Sequence, residues 1–467
     1  MPDGTDRSEP ARTEEARADQ ARTARTALAD FLRDSVRVDA AVEAAFRQVP
    51  RHLFVPELPA PLAYQDESVV VKVSDDGTPV SSSSQPTMMA IMLDQLGLRR
   101  GHRVLEIGAG TGYNAALMAH IVGETGSVVT IDIDAGLTAR ASASLAAAGY
   151  GQVQVQCADG ALGFGDRAPY DRIILTVGAW DIARQWLDQL APAGRIVLPI
   201  SVRGIQLSVS LDRADGCLVS RSAIRCGFIK MAGALAGPEV IVPAGPQPGV
   251  RFGTDDGRAL DAEAVYAALA GPAVVVVADL PELTKPELSD ADLWLTLAEP
   301  GLTRVTVFGD GSGRQAASAL RPLGGLAMAA EPADGFGIAA VGLGPADAGS
   351  GREEASRDAA GREGAAREPA WRLGGGQAAV LVRGYGPGGA ELASHLAARL
   401  GTWRQLGQPS IAGLRLRVYP AGSAVEMAMV APAGTAAETQ AGASAGDVVR
   451  ELVFRRPCST LVLDWPL

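Results

Sequence analysis

The chain has 467 residues, enough for about two or three domains at roughly 150 residues each, and 47% of its side chains are apolar. Its 53 acidic against 42 basic residues leave a net charge of −11, which speaks against a general nucleic-acid or anionic-membrane binder, since those present a basic footprint. The cysteines at 157, 217, 226 and 458 form no CxxC pair, so a zinc ribbon, a redox dithiol and a disulfide scaffold are all disfavoured and a reducing cytoplasm is expected.

The first thirty residues contain no apolar stretch of the kind a secretory signal needs. The longest apolar run, at 273–278, is far short of the ~18 residues that span a bilayer, so no membrane segment is expected. Residues 1–25 are polar and rich in Ala, Arg and Glu, and are expected to form a disordered tail or a frayed helix. Residues 26–49 have helical periodicity, with Asp39 placed to cap a second helix. Prolines at 50, 56, 59 and 61 then start an extended region, followed by a strand at 69–73 and a turn at 75–77.

From 85 to 225 helix and strand alternate. Helices are expected at 85–98, 113–122, 137–148 and 183–190, with strands at 103–107, 127–133, 153–157, 170–176 and 195–200. Residues 206–212 and 217–225 alternate like an antiparallel pair. The pattern implies a parallel α/β sheet over 26–245, with ligands bound beyond the carboxyl ends of its strands. Residues 246–467 suggest a separate α+β domain, with strands at 273–278, 304–308, 337–343, 378–383, 414–419, 425–430 and 460–463 and a helix at 392–400. Low-complexity inserts are expected at 349–368 and 432–446.

The sharpest signal is EIGAGTGY at 106–113, set between a strand and a helix. Glycines at 108, 110 and 112 let the backbone turn tightly and approach a ligand closely. A dinucleotide fingerprint wants Gly or Ala where Tyr113 stands. A GxGxG loop behind Glu106 instead resembles motif I of S-adenosylmethionine-dependent methyltransferases. Asp132, 24 residues after Gly108 at the next strand end, can accept ribose hydroxyls or serve, like Asp134, as a helix cap. Asp159, followed by Gly160, can accept from an adenine amine or make a plain Asp-Gly turn.

With these motifs in order, residues 36–200 resemble the protein-L-isoaspartate O-methyltransferase family. The matching segments are VPRHLFVP at 49–56, AYQD at 63–66, Ser84-Gln85-Pro86 with Met88, Met89 and Met92, LEIGAGTGY at 105–113, Asp159-Gly160, and APYD at 168–171. The resemblance implies a Rossmann-like, seven-stranded methyltransferase sheet carrying an additional C-terminal α+β domain. Gly108, Gly110, Gly112 and Gly160 would hold S-adenosyl-L-methionine, with Glu106 bracing the loop, Asp132 on the ribose and Asp159 on the adenine. Ser84 would be the active-site serine and Ser82 its neighbour, while Ser83, Gln85, Tyr64 and Val177 would contact the substrate. The nucleophile would be a carboxylate of an aspartyl or isoaspartyl unit in a peptide or protein, which needs no strong base because it is ionised at neutral pH. Alignment and displacement of water would then carry the catalysis.

Two departures stand out. The stretch at 71–84 differs from the PIxxGQTIS-type segment of the repair enzymes, and the region after 245 is not part of minimal members. Both features, with VGAW at 177–180 and CGF at 226–228, resemble the branch associated with lanthipeptide-type biosynthesis, in which an aspartate of a precursor peptide is methylated and cyclises to a succinimide. A leader-binding or entrance-shaping role is one expectation for the C-terminal region. No His, Cys and carboxylate cluster has metal-ligand spacing, so no metal is expected. A nucleic-acid methyltransferase is disfavoured by the acidic charge and by LTVGAW at 175–180, where an Asn/Asp-Pro-Pro-aromatic motif would stand. A non-catalytic cofactor-binding scaffold is disfavoured by the intact glycines and acidic residues.

Overall fold

The computed structural model describes residues 9–75, 77–245, 251–254, 256–280, 283–299, 301, 303–308, 327–330, 335–345, 378–429 and 452–465. The expected inserts at 349–368 and 432–446 lie outside them.

Three helices lead the chain: α1 (Glu9–Ser35), α2 (Ala40–Gln48) and the short α3 (Ala60–Ala63). The tail expected to be disordered or a frayed helix up to residue 25 is therefore helical from Glu9. Its Ala, Arg and Glu are strong helix formers, and Ala21, Leu28, Ala29 and Leu32 fall on one buried face. Asp39 caps α2 by accepting from Ala41 N–H at 2.8 Å.

A hairpin of β1 (Val69–Val73) and β2 (Pro79–Ser83) comes next, and then α4 (Pro86–Leu96). The alternation continues with β3 (Arg103–Ile107), α5 (Tyr113–Val122), β4 (Ser127–Asp132), α6 (Ala135–Ala147), β5 (Gln154–Cys157), β6 (Tyr170–Leu175), α7 (Arg184–Gln189) and β7 (Leu190–Val202). It closes with the antiparallel β8 (Ile205–Ala214) and β9 (Cys217–Cys226). These seven strands lie in the order β9-β8-β7-β6-β3-β4-β5, with β3 paired in parallel to both β4 and β6. Four of the five residues of β3 are buried, as a strand covered on both faces requires. Strand order reverses beside β3, which opens a crevice at the carboxyl ends of β3, β4 and β6.

The rest of the chain supplies β10 (Val240–Pro243), β11 (Arg251–Thr254), α8 (Ala262–Leu269), β12 (Val274–Val277), α9 (Lys285–Ala298), β13 (Thr303–Phe308), β14 (Ala327–Ala330), β15 (Gly337–Pro345), β16 (Ala378–Tyr385) and α10 (Gly389–Gln405). Seven of these strands form an antiparallel sheet, β10-β11-β13-β14-β15-β16-β12. The chain then returns to the first sheet with β17 (Arg415–Pro420), α11 (Ala424–Met429), β18 (Leu452–Arg455) and β19 (Ser459–Asp464).

The separation expected at 245 is corrected here. β17 pairs with β9, and β19 and β18 extend that edge, making a ten-stranded sheet. The apolar core also crosses the boundary: Ile173, Ile196 and Leu207 share one buried cluster with Leu293, Trp294, Leu396 and Trp403. β9 would otherwise present an open edge, and an unpaired edge is a liability that a covering strand removes. The strand expected at 425–430 is corrected too, since Ala424–Met429 is helical. Its Glu426 turns inward and accepts from Gly422 N–H at 2.6 Å and Arg455 Nη1 at 3.0 Å. Among the described residues no helix is long and apolar enough to cross a membrane.

Candidate active site

A cavity of about 540 Å³ opens at the carboxyl ends of β3 and β4. Its walls come from the 106–114 loop, the Ser81–Gln85 segment, Asp132, Gly160, Val177 and residues 225–232.

At one end lies the glycine loop. Gly108, Gly110 and Gly112 have φ of 102°, 51° and 85°, a left-handed run that favours glycine. At Gly108 space decides as well, because a Cβ there would stand 2.6 Å from Thr176 Oγ1. That hydroxyl instead donates to Gly108 O at 2.6 Å, tying the loop to the end of β6. Asp132 Oδ2 accepts from Gly110 N–H at 3.1 Å, and Oδ1 accepts from Asp134 N–H at 3.1 Å. The helix-cap role belongs to Asp134, which accepts from Leu137 N–H. Glu106 is 1% exposed and accepts from Asn114 Nδ2 at 2.8 Å and Thr130 Oγ1 at 2.6 Å. Burial pushes its carboxyl up to about 7, while those two bonds oppose the rise.

Beside the glycine loop stands the serine strand. β2 pairs Ser83 with Val69 and Ser82 with Val70, so the serine run is a strand where a polar loop was also compatible with the sequence. It packs against the glycine loop: a Cβ on Gly110 would lie 3.6 Å from Ser82 O. Ser81 and Ser83 are buried, and the Ser83 hydroxyl has no hydrogen-bond partner. Ser84 does not cap α4, whose N-cap is Gln85. Asp66 takes that part instead, accepting from Thr87 N–H at 2.7 Å and Gln85 Nε2 at 2.8 Å.

Arg51 holds this segment in place. Its guanidinium is fully buried, donates from Nη1 and Nη2 to Ser84 O at 3.1 Å each, and lies 5.2 Å from the centre of the Tyr113 ring. Burial pulls its pKa below the usual arginine value. The sequence shows Arg51 only as one letter of a motif.

Two expected site residues sit elsewhere. Tyr64 is buried beneath the N-terminal helices, with its hydroxyl 2.9 Å from His52 Nδ1, and does not line the cavity. Asp159 is also off the wall: it accepts from Ala161 N–H and Ala234 N–H, both at 2.9 Å, and so clamps the 233–234 segment. Gly160, beside it, does line the cavity, and its carbonyl accepts from Trp186 Nε1 at 2.8 Å. Ser82, Ser83, Ser84, Gln85, Gly108, Gly110, Asp132 and Val177 do converge, with Glu106 as the buried support, whereas Gly112 faces Ala141 and Leu145 of α6 and does not line the cavity.

The C-terminal region reaches the same place, which the sequence does not reveal. Asp181, 1% exposed, accepts from Cys458 N–H at 2.7 Å and Ser459 Oγ at 2.5 Å. Arg456 lies over the Trp180 ring at 5.0 Å and donates to Ser201 O at 2.7 Å. The strand hairpin β18–β19 thereby fixes the loop that follows Val177.

The family model described as protein-L-isoaspartate(D-aspartate) O-methyltransferase matches residues 23–236. The protein-L-isoaspartate O-methyltransferase 2 of Archaeoglobus fulgidus is 43% identical over 179 residues, which are 38% of this chain and 78% of that protein. The Hyperthermus butylicus protein-L-isoaspartate O-methyltransferase is 39% identical over 201 residues, covering 41% of this chain and 81% of its own. A solved protein-L-isoaspartate O-methyltransferase aligns over 84% of this chain and 96% of its own, at 22% identity and a TM-score of 0.45.

Proposed function

The chain belongs to the protein-L-isoaspartate O-methyltransferase family and is an S-adenosyl-L-methionine-dependent methyltransferase, and from that premise we propose that it methylates a carboxylate of an aspartyl or isoaspartyl unit in a peptide. The residues present fit the cofactor: Gly108 and Gly110 border the cavity with bare backbone, and Asp132 stands beside them with two acceptor oxygens. Gly108 and Gly110 would hold the cofactor's polar part, with Gly112 letting the loop turn against α6, Asp132 would take the ribose hydroxyls, and Gly160 would border the adenine. When bound, the cofactor supplies a methyl group on a cationic sulfur.

The observation that carries the acceptor reading is the buried, unpartnered Ser83 hydroxyl on a serine strand packed against the glycine loop. A buried hydroxyl without a partner costs about 1–3 kcal/mol, which a ligand oxygen relieves. Ser84 and Ser83 would orient the substrate carboxylate by donating to it, leaving its second oxygen to form the bond to the methyl group, with the electron pair of the broken sulfur–carbon bond staying on the sulfur of the departing S-adenosylhomocysteine. No His lines the cavity among the described residues, and none is required, because the attacking carboxylate is already ionised. Val177 and the serine strand exclude water from the reacting pair.

Within this reading we favour a defined peptide over general repair, with an aspartate of a ribosomal precursor peptide as the acceptor and succinimide formation after esterification. The support is the serine-rich hairpin, which lines the cavity, and the C-terminal contacts to the loop that follows Val177. The test is mass spectrometry of an isoaspartyl peptide, its aspartyl twin and any short peptide encoded beside the gene, each incubated with protein and S-adenosyl-L-methionine. A methyl gain on the neighbouring peptide's aspartate, then loss of methanol, is expected. A methyl gain on the isoaspartyl peptide alone would replace this reading with repair. No methyl gain on any of them would overturn carboxyl methylation.

A further inference from the structure

One charged cluster outside the cofactor loop faces the cavity. Arg225, at the end of β9, lines the cavity wall, and its side chain is 31% exposed. Its Nη1 donates to Asp292 Oδ2, and among the described residues Asp292 is its only hydrogen-bond partner. Asp292 belongs to α9, in the C-terminal region, and is 1% exposed. The same carboxylate accepts from Arg304 Nη1 on β13 at 2.8 Å. Two guanidinium groups thus share one carboxylate, and the cluster carries one uncompensated positive charge.

Its geometry is fixed from several sides. Gly204, at φ 79°, sits in the turn between β7 and β8, and a Cβ there would stand 2.9 Å from Arg304 Cδ. The other cation on the wall, Lys230, is paired to Glu239 at 2.5 Å. The carboxylate on the wall, Asp132, lies at the cofactor loop. In a chain of net charge −11, this leaves a local cation on the cavity wall with donors still open. A guanidinium fork held at one edge by a buried carboxylate presents its other edge to a second carboxylate in a fixed geometry.

We propose that Arg225 is a specificity-determining residue that binds an acidic side chain flanking the aspartyl unit to be methylated, and that Asp292 is the positioning residue that holds it. The inference rests on the carboxyl-methylation reading and adds to it that the preferred substrate is an acidic peptide. It also gives the C-terminal region a direct part in substrate choice.

The experiment uses the full-length protein, S-adenosyl-L-methionine and two acceptor peptides that differ only in Glu or Gln beside the acceptor. The wild type is expected to favour the Glu peptide about tenfold in kcat/KM, carried by KM, as one charged hydrogen-bonded contact provides. Added salt shrinks that preference. Arg225→Gln is expected to bring the ratio to about one, Arg225→Lys to keep part of it, and Asp292→Asn to reduce it. Melting temperature and S-adenosylhomocysteine binding check that each variant is folded. If Arg225→Gln fails to fold, the Arg225→Lys ratio and the salt dependence of the wild type decide. An equal rate on both peptides by the wild type would overturn the proposal. So would equal slowing of both peptides by Arg225→Gln, which would place Arg225 on the acceptor carboxylate itself. A wild type that methylates neither peptide would instead overturn the reading beneath, and this proposal with it.

Discussion

The two ends of the cavity are built differently. At the cofactor end, residues 106–112 and Asp132 belong to two adjacent strands and the turns that follow them. At the substrate end, the wall is assembled from the β1–β2 hairpin, the loop after β6, the end of β9 and, behind them, α9 and the β18–β19 hairpin. Short-range construction makes the first end dependent on backbone conformation. Long-range construction makes the second dependent on buried polar anchors, with Arg51, Asp181 and Asp292 each joining segments far apart in the chain.

That contrast can be broken from either side. The largest effect is expected from removing residues 246–467, which uncovers the β9 edge and takes Trp294, Leu396 and Trp403 out of the shared core. The shortened chain should melt at least about 10 °C lower and bind a hydrophobic dye, given how strongly melting depends on buried surface. An unchanged melting curve would show the two regions to be independent. At the cofactor end, Gly108→Val combines left-handed strain with a clash at Thr176, so calorimetry should find S-adenosylhomocysteine affinity about a hundredfold weaker or worse. Retained affinity would refute the tight-turn account.

Arg51→Lys loses the fork that grips Ser84 O and the contact with Tyr113. Stability is expected to fall by about 3 kcal/mol in denaturant unfolding. A loss below about 0.5 kcal/mol, the range of ordinary surface changes, would mean that Arg51 is no anchor. The smallest effect is a pH slope. Burial raises Glu106 from the ordinary 4.5 to about 7 in the folded chain, so folding takes up a proton between those values. Stability from this group is therefore fully present below about pH 4.5 and falls as pH rises towards about 7. Glu106→Gln should flatten that part of the melting-temperature profile; an identical slope would assign it to other groups.

The same contrast explains what was legible beforehand. The glycine loop, Asp132 and the strand–helix alternation are local patterns, and they appear where the spacing places them. Arg51, Asp181 and Asp292 act through partners 33, 278 and 67 residues away, so no window of sequence marks them. Tyr64 and Asp159 match motif positions, yet their polar atoms are taken by His52 and by backbone N–H groups. The three strands that close the β9 edge were legible as strands in part, but their partner was not, because pairing across about 200 residues leaves no periodic trace. At Ala424–Met429 the run AVEMAM is apolar except for Glu426, and so short an apolar run has no period that separates helix from strand, while Glu426 is buried by ion pairing rather than by pattern.

The account's central claim is that the two ends do separate jobs, and one paired measurement tests it: cofactor affinity by calorimetry and single-turnover methyl transfer to an aspartyl peptide, in Asp132→Ala and in Ser84→Ala. Asp132→Ala is expected to weaken cofactor binding about tenfold to a hundredfold, with transfer restored at saturating cofactor. Ser84→Ala is expected to bind cofactor as the wild type does and to transfer the methyl group about tenfold more slowly. Loss of cofactor affinity in Ser84→Ala, or an unrestored rate in Asp132→Ala, would contradict the division and place both residues in a single site.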